Sequence, residues 1–267
     1  MVGVLNFLIA RTERFVAAVT RSRRTGAAVT PMAQSYGLAT VVMLCWKRHA
    51  NVRQIAETYA AFPRVGDIII WNNNAAEPFF LAHPKVRCIN SDELGLNARW
   101  AALLFARHSC VIVADDDLVC DEETINRFID AHHSDPDRTY ALHGRQPTAT
   151  NEYALKVDRV MAPTEADIHL TRLACTNRRF APKYFELLPQ IGIDIEPATG
   201  GGEDIAFSYI VRHLTGKRPL ILPGSYTDLV GAHAIANRTG SQWDNRTEIM
   251  RRCQAWYEAV SARSEGV

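Results

Sequence analysis

Cys110-Val111-Ile112-Val113-Ala114-Asp115-Asp116-Asp117 decides the fold: five apolar residues, β-branched at the centre, are stopped at once by three aspartates. An uninterrupted apolar run of this length reads as a strand buried on both faces, the habit of parallel sheets. Carboxylates directly behind such a strand stand at its carboxyl end, where open α/β sheets bind their ligands.

The flanking sequence repeats the pattern. Residues 38–45 form another buried strand, 67–71 a second and 86–89 a short third. A helix starting at Asn51, with Val52, Ile55, Ala56 and Tyr59 on one side, ends at Pro63, and residues 96–107 read as a helix carrying Trp100, Leu103 and Leu104. Strands alternating with helices predict an α/β fold built on a mainly parallel sheet. Beyond residue 130 the prolines at 136, 147, 163, 182, 189 and 197 break the chain into short strands and turns. Two helices still stand out. One covers 203–214, behind Gly200, Gly201 and Gly202 and stopped by Gly216; the other covers 245–262.

Composition narrows the function classes. The 267 residues, 47% of them hydrophobic, suffice for a buried core. A net charge of +1 provides no global basic field for nucleic acid. Six dispersed cysteines without a CxxC pair predict free thiols in a reducing compartment. No apolar run reaches the roughly eighteen residues of a membrane span. Residues 1–34 hold five arginines against one glutamate, and Leu5, Leu8, Ile9, Phe15, Val16 and Val19 fit one helical face. That segment reads either as a peripheral contact with an anionic membrane or as a helix docked on its own domain.

Three groups of residues carry candidate chemistry. Asp115, Asp116 and Asp117 repel one another unless a cation joins them, and hard oxygen ligands suit Mn²⁺ or Mg²⁺ shared with substrate phosphates. The alternative is a polar turn that caps the helix beginning near Asp121. Asn72 and Asn73, behind the second strand, either form a simple Asn-rich turn or offer the donors and acceptors that a uracil edge or ribose needs, while Arg48, Asn97 and Arg99 either lie on the solvated surface or supply donors for a base or diphosphate. Glu203 and Asp204 open a helix after the glycine triplet. They either stabilise its first turn or present a carboxylate to an acceptor hydroxyl.

Taken together, these pieces resemble the exostosin-type glycosyltransferases, glycosyltransferase family 64. Ile70-Trp71-Asn72-Asn73 resembles the family's VWNN strand end, and Leu96-Asn97-Ala98-Arg99-Trp100 its LNNRF helix. Val113-Ala114-Asp115-Asp116-Asp117 resembles its acidic DXD motif, Glu203-Asp204-Ile205-Ala206-Phe207 its EDIAMNF segment, and Trp243 with Arg252 and Cys253 its C-terminal pattern. The resemblance implies a GT-A fold, a Rossmann-like mixed sheet flanked by helices, as a single domain over residues 37–267 behind the basic segment 1–36. It also implies a UDP-sugar donor, Mn²⁺ (or Mg²⁺), and retaining transfer of a hexose or N-acetylhexosamine to a hydroxyl acceptor, lipid-linked or polysaccharide.

By the same resemblance, Asp117, with Asp115 beside it, is expected at the metal, and Asp115 and Asp116 at the ribose, the metal's waters or the sugar. Arg48, Asn72, Asn73, Asn97 and Arg99 become uridine or diphosphate contacts. Asp204, with Glu203, becomes the catalytic carboxylate beside acceptor and sugar, and Arg252 the arginine near the diphosphate, with Arg246 and Arg251 as competitors. The chain departs from the family at Gly202, where a cysteine is usual, which leaves Cys253 without that partner and fits a cytoplasmic protein peripheral to the inner membrane face. His233 is a lone histidine that reads as a further ligand or as a structural residue. A nucleotidyltransferase is disfavoured because residues 46–52 contain no glycine to cradle a triphosphate. A non-catalytic UDP- or glycan-binding protein is disfavoured by the presence of both Asp117 and Asp204.

Overall fold

The computed structural model describes residues 37–193, 201–229 and 241–265, the side chains of 241–243 and 263–265 excepted. The basic segment 1–36, Pro197, Gly200, His233 and the side chain of Trp243 lie outside the described residues.

The buried runs are strands. They are β1 (Ala39–Cys45), β2 (Val65–Asn72), β3 (Val86–Asn90) and β4 (Cys110–Ala114), with helix α1 (His49–Ala61) between the first two. β1 pairs in parallel with both β2 and β4, and β2 with β3. Every residue of β4 and all but one of β1 are buried, so both faces of the sheet are covered. Val41, Met43, Ile68, Ile70 and Ile112 pack on one side against α1 and α3 (Glu122–Ser134). The short helix α2 (Ala98–Ala102) lies against β1 and β2.

Residues 96–107 do not form the single helix their spacing predicts. Only α2 is α-helical, between tighter 3₁₀ turns at Gly95–Asn97 and Leu103–Phe105. Arg87 Nη2 donates to the Phe105 carbonyl and Arg178 Nη1 to that of Ala106, each at 2.7 Å, so the end of the segment is anchored by guanidinium groups of distant residues.

After β4 a short strand, β5 (Leu118–Cys120), leads into α3, which is capped by Asp121 accepting from the Thr124 amide at 2.8 Å. The capping role therefore falls to Asp121 alone, and the three aspartates are left for other work. The second half is short-stranded, as the prolines predict: β6 (Tyr140–Ala141), β7 (Gly144–Pro147), β8 (Tyr153–Val157), β9 (Thr164–Glu165), β10 (Ile168–His169) and β11 (Leu173–Asn177). Then come α4 (Phe180–Leu187), α5 (Glu203–Thr215), β12 (Leu220–Ile221), β13 (Tyr226–Asp228) and the long α6 (Ser241–Glu265).

The main sheet runs β3-β2-β1-β4-β11-β6-β12-β9. β11 lies antiparallel to β4 and closes the parallel part. β10, β7 and β8 form a second antiparallel sheet, and β13 pairs with β5. α5 has left-handed glycines at both ends, Gly202 (φ +91°) before it and Gly216 (φ +71°) after it. No helix among the described residues is long and apolar enough to cross a membrane.

Candidate active site at the carboxyl edge of the parallel strands

The parallel register sets the ends of β1, β2 and β4 side by side, Cys45 opposite Asn72 and Met43 opposite Ala114, so the segments that follow converge. Each aspartate of the triplet meets an arginine. Arg48 Nη1 lies 2.8 Å from Asp116 Oδ1, and Arg99 Nη1 lies 2.9 Å from Asp115 Oδ1. Asp117 stands 3.6 Å from both Arg48 and Arg172, too far for a direct hydrogen bond, and its Oδ1 is buried without a hydrogen-bond partner. Burial, then the neighbouring Asp115, pushes its carboxyl above the ordinary range, although Arg172 and Arg48 oppose the rise.

Arg99 is buried and bridges two acidic groups. Besides Asp115, its Nε lies 3.3 Å from Glu203 Oε1. Burial works against its charge, but Asp115 and Glu203 outweigh that and hold it as a cation. α5 is fixed at the same place: the Trp100 indole N–H donates to the Glu203 carbonyl at 3.2 Å, and its ring stacks on Phe207 at 3.8 Å. Glu203 and Asp204 are both buried, which raises both carboxyls. Arg99 opposes the rise at Glu203; Arg246, then Arg99, oppose it at Asp204. Beneath them His169, hydrogen-bonded to Ser208 at 2.7 Å, is pushed down to about 3 by burial and then Arg99, so it stays neutral.

The asparagines divide. Asn72 is fully buried; its Nδ2 faces the carbonyls of Asn74 and Glu77 and Asn90 Oδ1 at 2.8 to 2.9 Å, and its Oδ1 accepts from the Asn74 amide. It shapes the loop. Asn73 donates to the Gly95 carbonyl and keeps a buried Oδ1 without a hydrogen-bond partner. Asn97 accepts from the Tyr184 hydroxyl at 2.5 Å.

Arg252 is drawn away from this cluster, half-exposed, with Glu248 at 2.9 Å and the Gly192 carbonyl as partners. The arginine of α6 that acts on Asp204 is Arg246, stacked 5.8 Å from the Tyr153 ring centroid. Gly202 lets α6 come this close: a Cβ there would lie 2.6 Å from Ile249. Cys253 is buried and, like the other five cysteines, a free thiol.

Sequence reading missed Arg172, Asp228, Arg145 and Tyr153. Arg172 reaches the triplet because the Asp115 amide donates to the Arg172 carbonyl across the β4–β11 pairing, a non-local contact with no local signal. Among the described residues no three His, Cys, Asp or Glu side chains are placed to hold a metal by themselves. The Asp117 carboxylate oxygen without a hydrogen-bond partner nevertheless suits a hard divalent ion that takes its remaining oxygens from phosphates and water, the usual way Mg²⁺ is bound beside nucleotides.

The fold is similar to that of GalNAc-T7, solved with UDP, GalNAc and Mn²⁺, at a TM-score of 0.57 and 11% identity. That match covers 82% of this chain and 48% of the other, so the chain spans about half its length. No curated protein matches by sequence. The family model of the glycosyl transferase family 64 domain matches residues 39–263, which take in the acidic triplet, the glycine-led α5 and most of α6. With the mixed sheet of a GT-A fold beneath them, the chain belongs to glycosyl transferase family 64.

Proposed function

We propose that this protein is a retaining glycosyltransferase that moves a hexose or N-acetylhexosamine from a UDP-sugar to a hydroxyl acceptor with a divalent cation, Mn²⁺ or Mg²⁺. The observation that carries the reading is the triplet's uneven satisfaction. Asp115 and Asp116 are each held by an arginine, while Asp117 keeps an unpartnered oxygen at the ligand-binding edge of the sheet. Asp117, with Asp115 beside it, would hold the cation. When bound, such an ion offsets the charge that develops on a departing diphosphate.

The chain's own residues supply the rest. Arg48 orients Asp116 and adds positive potential at the strand ends; Arg99 does the same for Asp115 and ties it to Glu203. Asn73 has a buried acceptor oxygen for a base N–H, and Asn72 sets the loop that holds it. Asp204, across Arg99 from the triplet, is the carboxylate for the sugar and the acceptor hydroxyl, with Arg246 rather than Arg252 as its basic neighbour. The neutral His169 and the Trp100–Phe207 stack hold the first turn of α5 rigid beneath it. Free thiols at all six cysteines support a reducing compartment, and the basic segment 1–34 supports peripheral membrane contact.

The test is UDP release by purified protein across a panel of UDP-sugars, with and without Mn²⁺, beside Asp117→Asn. Release from one or two donors, abolished by chelator and cut by about 10²-fold or more in the variant, is the expected result. Metal-independent release, or an active Asp117→Asn, would overturn the assignment. Failure to bind UDP with Mn²⁺ by calorimetry would overturn the donor class itself.

A further inference from the structure

Beside the triplet, with Arg172 in its wall, lies a cleft of about 460 Å³ that the proposed donor chemistry leaves unused. Its charged lining consists of Arg145, Lys156, Arg159 and Arg172 against Asp158 and Asp228. His143, pushed down to about 4 by burial and then Arg172, adds no charge, so the cleft carries two positive charges in excess. Arg172 already has Asp228 as partner. Lys156 and Arg159 are exposed and make no ion pair or side-chain hydrogen bond among the described residues. Arg159 is also held at φ +49°, a backbone conformation that L side chains rarely adopt.

The cleft borders the triplet through Arg172 and is linked to Asp204 only indirectly, through Arg145, the Tyr153 ring and Arg246. Arg172 stands 3.6 Å from Asp117, and Arg145 lies over the Tyr153 ring, which Arg246 meets at 5.8 Å on its way to Asp204. It continues into a second hollow of about 330 Å³, the two sharing Arg159 and Tyr226. That hollow is lined mainly by apolar groups, among them Leu142, Val160, Met161 and Leu222. Met161 is 95% exposed at the rim of that hollow.

A cationic cleft that opens into an apolar one matches a molecule with an anionic head and an apolar chain. We infer that this is the acceptor subsite and that the acceptor is a hydroxyl-bearing lipid phosphate, its anionic group among Arg145, Lys156, Arg159 and Arg172, its chain along Val160 and Met161, and its hydroxyl oxygen bonding the sugar and losing its proton as UDP leaves. The inference rests on the transferase reading above and names its acceptor class.

Calorimetry on the full chain tests it, with UDP present and farnesyl phosphate as the probe below its micelle concentration, against inorganic phosphate and farnesol. Farnesyl phosphate should bind more tightly than either comparator. Lys156→Gln with Arg159→Asn, asparagine being tolerant of positive φ, should weaken it by about tenfold or more, as loss of charge-assisted contacts does. Met161→Ser should weaken farnesyl phosphate but not inorganic phosphate. Because segment 1–36 is the same in every variant, binding there would not respond to these substitutions, and an unresponsive signal overturns the inference. So does farnesyl phosphate binding no better than inorganic phosphate, or tighter capture of an anionic polysaccharide than of the lipid. Displacement of the probe by UDP would return the cleft to the donor site and likewise overturn it. UDP binding is measured in the same cell, so loss of UDP binding marks failure of the transferase reading, whereas UDP binding without lipid binding marks failure of this inference alone.

Discussion

The two halves of the molecule hold their functional groups by different means. In β1 to β4 the strands are five to eight residues long and parallel, with one register shift at Ala39/Thr40 far from the site, and Asp115 to Asp117 are placed by that ladder. Beyond β5, four of the strands, β6, β9, β10 and β12, are two residues long. There the basic cleft is assembled by side chains: Arg172 on Asp228, Arg145 over Tyr153, and His143 on the Tyr226 hydroxyl at 3.0 Å. A backbone ladder fixes a site whose ligand chemistry is constant. Side-chain assembly leaves the other half free to change its ligand without disturbing the sheet. Arg99 and the Gly202–Ile249 contact join the two, and they are where the contrast is most easily broken.

The largest effect is expected at Arg99. Arg99→Met leaves the buried Glu203 and the half-buried Asp115 without their cation and should cost about 3–5 kcal/mol in urea denaturation. Arg145→Gln, in the side-chain half, should stay within about 1 kcal/mol by the same measurement. Equal losses would mean that the two halves do not differ as described. Next, Gly202→Ala forces a side chain into positive φ and against Ile249, a loss of about 2–3 kcal/mol. Ile249→Ala in the same background should recover part of it, because only the clash, not the strain, is relieved; strict additivity in the double-mutant cycle would rule out the clash.

For activity, Arg246→Ala should lower kcat/KM for transfer about tenfold and Arg252→Ala less than twofold, since only the former acts on Asp204. The reverse order would restore Arg252 to the site. The smallest effect concerns pH. Burial raises Glu203 in the folded state, so its contribution to stability is fully present below its unfolded value, about 4.3, and is lost as pH rises through the higher folded value. Glu203→Gln should therefore lose less stability than the parent chain between pH 5 and pH 8. His169, neutral in the fold, acts in the opposite direction in both proteins and cancels from the difference.

The same contrast explains what could be read from sequence. Buried parallel strands write themselves as unbroken apolar runs, so β1, β2 and β4 were legible, and with them the placement of the acidic triplet at a ligand edge. Glu203 to Gly216 was legible too, because both ends carry left-handed glycines. The break-up of residues 96–107 was not, since the end of that segment is anchored by Arg87 and Arg178, distant residues with no local signal. Nor was the choice among Arg246, Arg251 and Arg252. All three lie on α6, and only the close approach allowed by Gly202 decides which one turns toward Asp204.

Gly202 also governs how the C-terminal helix is attached. Met250 and Cys253 are buried along its length, Ile249 fills the space that a side chain at 202 would occupy, and no covalent bond ties the seam. A helix held by packing and a few hydrogen bonds, such as those of Arg251 to the Asn151 carbonyl and of the Tyr153 amide to Thr247, can lift and resettle without breaking a covalent bond, on the timescale of local opening rather than of global unfolding. Arg246 travels with it. Each such excursion removes the basic neighbour of Asp204, so the electrostatic setting of that buried carboxylate is complete only while the helix is seated.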